Sequence, residues 1–225
     1  MAKKRTLTIA GVTWTYYVSD TGDPKRLLFY FCGLCPDYPP TVSEFWTGVS
    51  KVGRALNATT IYPSPQGSYF SHHWQMSDSE LAFFDAILRE FDPLRVMLTC
   101  YSNGGREVGF LVQQRSEAID AAVIHSGQSY VVPERVAGTK QNRVARVRAA
   151  GRALIAPKKE PVKNIPVSFL CGTKDMLYRE CRQTAERYRD WDHPGEELWI
   201  GGRGHFSRCT DQERAFVIEN LRERK

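Results

Sequence analysis

Three residues have the types and settings of a nucleophilic triad: Ser102, Asp175 and His205, in that chain order. Ser102 lies in Val96-Met97-Leu98-Thr99-Cys100-Tyr101-Ser102-Asn103-Gly104-Gly105, where an apolar run passes directly into a helix-like run. A serine at such a turn lifts its hydroxyl above the sheet edge, with a helix N-terminus behind it that favours negative charge. Small residues are needed on either side because strand and helix backbones approach closely there. Gly104 supplies one and Cys100 stands where the other glycine is usual, so the pattern is Cys-x-Ser-x-Gly. Asp175 follows Val167–Cys171, a strand-like run, and Gly172. His205 stands in the Gly-rich loop Gly201-Gly202-Arg203-Gly204-His205-Phe206. Singly, each residue is also explained by a turn, a helix cap or a surface loop. Together they keep the order and strand-end context of a Ser-His-Asp hydrolase.

The chemistry follows from the residue types. A serine hydroxyl is a poor nucleophile at neutral pH, so His205 would take its proton as Ser102 attacks a carbonyl carbon. Asp175 would hold the imidazole in the right tautomer. The oxyanion needs backbone donors, and Asn103 is one candidate. The other is Leu34, in the loop Cys32-Gly33-Leu34-Cys35, with Cys35 as the near alternative and as a residue facing substrate. His73 and Trp74 are expected to line the acyl or alcohol pocket. His72 and His73 are adjacent and point different ways, so they make poor joint ligands, and no metal site is expected. Ser126, in His125-Ser126-Gly127, lacks the flanking small residues of an elbow and reads as a structural strand end.

At the start of the chain, Thr6–Ile9 and Val12–Val18 flank Ala10-Gly11 as a hairpin. Strands are expected at 27–31, 59–62, 95–99, 121–125, 167–171 and 197–200. Helices are expected at 41–55, 81–91, 105–114, 178–190 and 211–224. Ser77-Asp78-Ser79-Glu80 is a capping box that starts the second of these helices. Leu81, Phe84, Leu88 and Phe91 form its apolar face, with Ile87 beside them. Strands alternating with helices predict an α/β fold: a mostly parallel central sheet with helices on both faces. Reactive groups are then expected at the strands' carboxyl ends.

With these residues placed, the chain resembles the α/β-hydrolases, and more narrowly the polyhydroxybutyrate depolymerase and feruloyl esterase-like serine esterases. The resemblance is densest from Ile61 to Gly127: Tyr62-Pro63-Ser64-Pro65-Gln66-Gly67, Trp74, Asp85, Phe91-Asp92-Pro93-Leu94-Arg95-Val96, Tyr101-Ser102-Asn103-Gly104-Gly105, and the strand ending His125-Ser126-Gly127. It implies a carboxylic-ester hydrolase without a cofactor, acting on a small-molecule ester such as an aryl ester or a short hydroxyalkanoate. Two departures bear on the substrate: the family's His-Gly oxyanion loop is Cys32-Gly33 here, and the first elbow glycine is Cys100.

Composition narrows the classes further. A chain of 225 residues, 42% hydrophobic and 25% charged, suits one α/β domain spanning 1–225 and excludes global disorder. No apolar run is long enough for a transmembrane helix, and no apolar stretch follows the basic N-terminus as a secretory signal would. The expectation is a soluble, cytoplasmic protein. Its six cysteines are then expected to be free thiols. Net charge is +6, yet between Pro133 and Lys163 nine basic residues face only two acids. The excess is therefore local, and no aromatic residues interleave it, which weighs against nucleic acid. The segment 128–164 falls between the sixth and seventh strands, where a short basic lid or cap insertion is expected. Two other classes stay open: a non-catalytic binding or regulatory protein on a hydrolase scaffold, and a thiol redox protein using Cys32 and Cys35.

Overall fold

The computed structural model of the chain describes residues 2–33, 39–65, 76–127 and 163–223. It contains one eight-stranded sheet, ordered β1-β2-β4-β3-β5-β6-β7-β8. The strands are β1 (Lys3–Ile9), β2 (Val12–Val18), β3 (Asp23–Phe31), β4 (Ala58–Pro63), β5 (Arg95–Cys100), β6 (Ala121–His125), β7 (Val167–Gly172) and β8 (Glu197–Ile200). The first two form the expected hairpin, turning through Ala10 and Gly11, both in the left-handed region. The pair β2–β4 is antiparallel. Every other neighbouring pair, from β4–β3 to β7–β8, is parallel. Parallel strands covered on both faces should be apolar throughout, and β4, β6 and β7 are buried along their whole length.

The α-helices among the described residues are α1 (Pro39–Thr47), α2 (Val49–Ala55), α3 (Asp78–Phe91), α4 (Gly104–Arg115), α5 (Tyr178–Asp190) and α6 (Asp211–Leu221). The single helix expected over 41–55 is two. Gly48 breaks it, with φ of 59° and the Arg214 side chain packed where a Cβ would sit. Helix α3 starts at the capping box read from the sequence: the Ser77 N–H donates to Glu80 Oε2 at 2.7 Å. Its apolar face is wider than expected. Phe83 stacks on Trp14 at 4.8 Å, while Phe84 meets Phe29 at 4.9 Å. Burial of each such ring contributes about 1.5–3 kcal/mol. The final helix ends at Leu221, earlier than the expected 224. The crossover between β6 and β7 carries the basic segment, of which 128–162 lies outside the described residues.

Candidate active site

The candidate groups in the described residues sit beyond the carboxyl ends of the parallel strands β5, β7 and β8. The chain leaves β5 through Tyr101 and Ser102 and enters α4 at Gly104. The Tyr101 N–H donates to Phe31 O at 3.0 Å and the Ser102 N–H to His125 O at 3.2 Å. The turn is thus tied to β3 on one side and β6 on the other. Ser102 has φ of 56°, a conformation that costs a non-glycine residue free energy and must be held by its surroundings. Gly104 explains how the helix can turn back so sharply. A Cβ there would lie 2.0 Å from Phe31 O. Cys100, in the other small-residue position, is fully buried, with its Sγ 3.9 Å from Val123 O. Burial pushes its thiol pKa up to about 12, so it stays protonated.

The loops after β7 and β8 bring two further groups to this turn. Thr173 N–H donates to Ile200 O and Lys174 N–H to Arg203 O, each at 2.9 Å, so the two loops run side by side. Gly172 permits this, because a Cβ would fall 2.3 Å from Arg203 O. His205 is buried between Ser102 and Asp175. Its Nε2 is 2.8 Å from Ser102 Oγ, and its Nδ1 is 2.9 and 3.0 Å from the two Asp175 carboxylate oxygens. An ionised carboxylate only accepts, so Nδ1 carries a proton and donates to Asp175, which turns Nε2 to the serine hydroxyl. Burial alone would raise the Asp175 pKa. Hydrogen bonds from His205, from the Leu177 N–H at 2.8 Å and from the Ser126 side chain outweigh it and hold the carboxyl below its ordinary range. The three residues expected to act together are therefore in hydrogen-bonding sequence.

Asn103 follows the serine as the N-cap of α4, so its backbone N–H belongs to the helix N-terminus beside Ser102. Gly33, just past β3, packs against Ser102: a Cβ there would lie 2.9 Å from Ser102 Cβ. Leu34 and Cys35 come next in the chain, but both lie outside the described residues, as do His73 and Trp74. Cys32, the residue before Gly33, is buried. Among the described residues, no group of three or more His, Cys, Asp or Glu side chains is placed to hold a metal ion. Nor is any helix there long and apolar enough to cross a membrane.

Solved structures with the same chain path include carboxyl esterase 2 from the mycorrhizal fungus Tuber melanosporum (TM-score 0.71, 12% identity). That match covers 99% of this chain and 88% of the other. The S-formylglutathione hydrolase of Staphylococcus aureus matches over 99% and 96% of the two chains, with TM-score 0.65 and 12% identity. Est1E from Butyrivibrio proteoclasticus, with ferulic acid bound, covers 96% of each chain at TM-score 0.64 and 15% identity. The fold is that of the α/β-hydrolases. No protein-family model matches the chain, and no curated protein matches it.

Within this hydrolase fold, several residues around Asp175 and His205 escaped the sequence reading. Ser126, expected to be only a strand end, is buried with φ of 47° and turns its side chain to Asp175. Arg203 pairs with Glu213 at the start of α6. Tyr101 stacks on the His205 ring. Nothing local in the sequence marks these partners: Ser126 and Tyr101 meet groups far along the chain, and Arg203 meets Glu213 across the loop that leads into α6. Arg203, two residues before the histidine, is the one whose position offered a hint.

Proposed function

We propose that the protein is a serine hydrolase that cleaves a carboxylic ester through an acyl-enzyme intermediate. The observation that carries this reading is the continuous line Asp175–His205–Ser102, at 2.9 and 2.8 Å. In the proposed reaction Ser102 Oγ attacks the ester carbonyl carbon while His205 Nε2 accepts its proton. Asp175 stabilises the imidazolium so formed and keeps its ring plane fixed. The tetrahedral oxyanion is assigned to the backbone N–H groups of Asn103 and Leu34. The packing of Gly33 on Ser102 supports this choice, since Leu34 follows Gly33 directly in the chain. Collapse of the intermediate breaks the C–O bond, and His205 returns its proton to the departing alcohol. Water, activated by the same histidine, then releases the acid and restores Ser102.

The neighbours' own descriptions, as a formylglutathione hydrolase, a carboxyl esterase and a protein with ferulic acid bound, favour an ester over an amide. An aryl ester or a short hydroxyalkanoate is the substrate class assigned, with Cys35, His73 and Trp74 along the pocket. The test is labelling of the reduced, folded protein with a fluorophosphonate probe, alongside hydrolysis of p-nitrophenyl acetate. Wild type should label and turn over, while Ser102→Ala and His205→Ala should do neither. A folded wild type that neither labels nor hydrolyses overturns the reading.

A further inference from the structure

The Tyr101 ring lies nearly parallel to the His205 imidazole, with centroids 5.1 Å apart and planes inclined by 28°. Trp46 of α1 stacks on the same tyrosine at 5.4 Å and 7°, and His125 meets it edge-on at 5.1 Å and 90°. Tyr101 is itself buried, and its backbone is tied to β3 through Phe31. The ring therefore has little freedom to turn. A rigid aromatic face lies beside the imidazole that carries the proton in the proposed reaction. We propose that Tyr101 is a positioning residue of this reaction, whose ring face sets the His205 ring plane and stabilises the imidazolium formed when Ser102 loses its proton.

The physical basis is the negative face of the aromatic quadrupole, which attracts a cation more than a neutral ring. The neutral His205 of the resting site gains only packing from the stack. The imidazolium of the transition state gains the electrostatic attraction as well. An interaction stronger in the transition state than in the ground state raises kcat rather than lowering KM. At the strength of ordinary cation–π pairs, the effect is about 2- to 30-fold in rate. The face keeps its character over the working pH range. Burial first, then the Asp175 and Glu213 carboxylates and Cys171, push the Tyr101 hydroxyl pKa up, with Arg203 opposing them. The hydroxyl takes no part in the stacking, so phenylalanine should serve in its place.

The inference rests on the serine-hydrolase reading, and the experiment separates the two. Phenylalanine and its mono-, di-, tri- and pentafluorinated forms are placed at position 101 in the full chain, and kcat, KM and Tm are measured with p-nitrophenyl acetate. Fluorination withdraws charge from the ring face with little change of shape. Tyr101→Phe should stay within about 3-fold of wild type. Through the fluorinated series kcat should fall stepwise, by about 2- to 30-fold in all, with KM and Tm nearly constant. The Ser102→Ala variant, run in parallel, should be inactive. A flat kcat across folded fluorinated variants, with Ser102→Ala inactive, overturns the role of Tyr101 and leaves the hydrolase reading intact. Wild-type activity in Ser102→Ala sinks both.

Discussion

The Arg203 guanidinium grips the Glu213 carboxylate by both oxygens, at 3.1 and 2.8 Å, and so fastens the loop bearing His205 to the first turn of α6. Glu213 is buried and does double duty. Its carboxylate also accepts from the Thr210 N–H and hydroxyl as the far half of a capping box. The backbone carbonyl of Arg203 meanwhile takes the Lys174 N–H. One residue thus joins the histidine loop, the aspartate loop and a helix.

Removing the guanidinium should therefore loosen the site and the fold together. Arg203→Met leaves a buried carboxylate without its cation, at a cost of about 3 kcal/mol. Denaturant unfolding should show that loss, and kcat for p-nitrophenyl acetate should drop at least about 10-fold through misplacement of His205. Arg203→Lys, which keeps the charge but not the planar guanidinium whose Nη2 also reaches Arg208 O, should fall between. A Met variant with wild-type stability and rate would show that the pair does not anchor the loop.

Asp175 is expected to matter for rate far more than for folding. In Asp175→Asn the amide can donate to Nδ1, which favours the imidazole tautomer with its proton on Nε2, facing the serine. The expected loss is about 10⁴-fold in kcat, with the circular dichroism spectrum retained. Retention of more than a tenth of wild-type activity would argue against the assigned acid.

Ser126→Gly separates backbone strain from hydrogen bonding. Glycine takes the left-handed conformation that serine adopts here at φ of 47°. The change should raise stability, by an amount on the order of 1 kcal/mol. It should also lower kcat severalfold, because the Asp175 carboxylate loses the Ser126 side chain. A thermal shift assay and steady-state kinetics on one preparation would read both. A variant that is less stable but fully active contradicts the assignment on both counts.

His125 gives the fold a dependence on pH. Burial pushes its pKa down to about 4, against the opposing pull of Glu213 and Asp175 and with help from His205 and Arg203. The unfolded chain takes up this proton below pH of about 6.5, while the folded protein resists until about 4, so stability falls as pH drops through that window. The loss from this residue approaches about 3 kcal/mol. Urea unfolding of wild type and His125→Gln between pH 7 and 4.5 should show a flatter profile for the variant. Identical slopes would remove His125 as the cause.

Much of this architecture is legible along the chain because it is governed by local rules. Alternation of apolar runs with amphipathic ones marks the strands and helices, and α5 and β8 fall on their expected residues. Capping chemistry places the start of α3, since Ser77 and Glu80 need only each other. Ser102, Asp175 and His205 could be singled out because residue type, chain order and strand-end position are all properties of a linear string. The break at Gly48 was harder to see, because the apolar pattern continues through it and the deciding contact comes from Arg214 in α6.

What lies around the three residues was settled only by folding. The 2.8 Å approach of His205 to Ser102 joins positions 103 residues apart, through two loops that run together because Gly172 leaves room for Arg203. Ser126 meets Asp175 and Tyr101 meets His205 because parallel strands align their carboxyl ends, whatever their separation along the chain, and Arg203 meets Glu213 because α6 packs its first turn against the loop after β8. Side-chain types are fixed by covalent order. The burial, orientation and charge environment that could make them reactive are set by neighbours that only the packed sheet supplies.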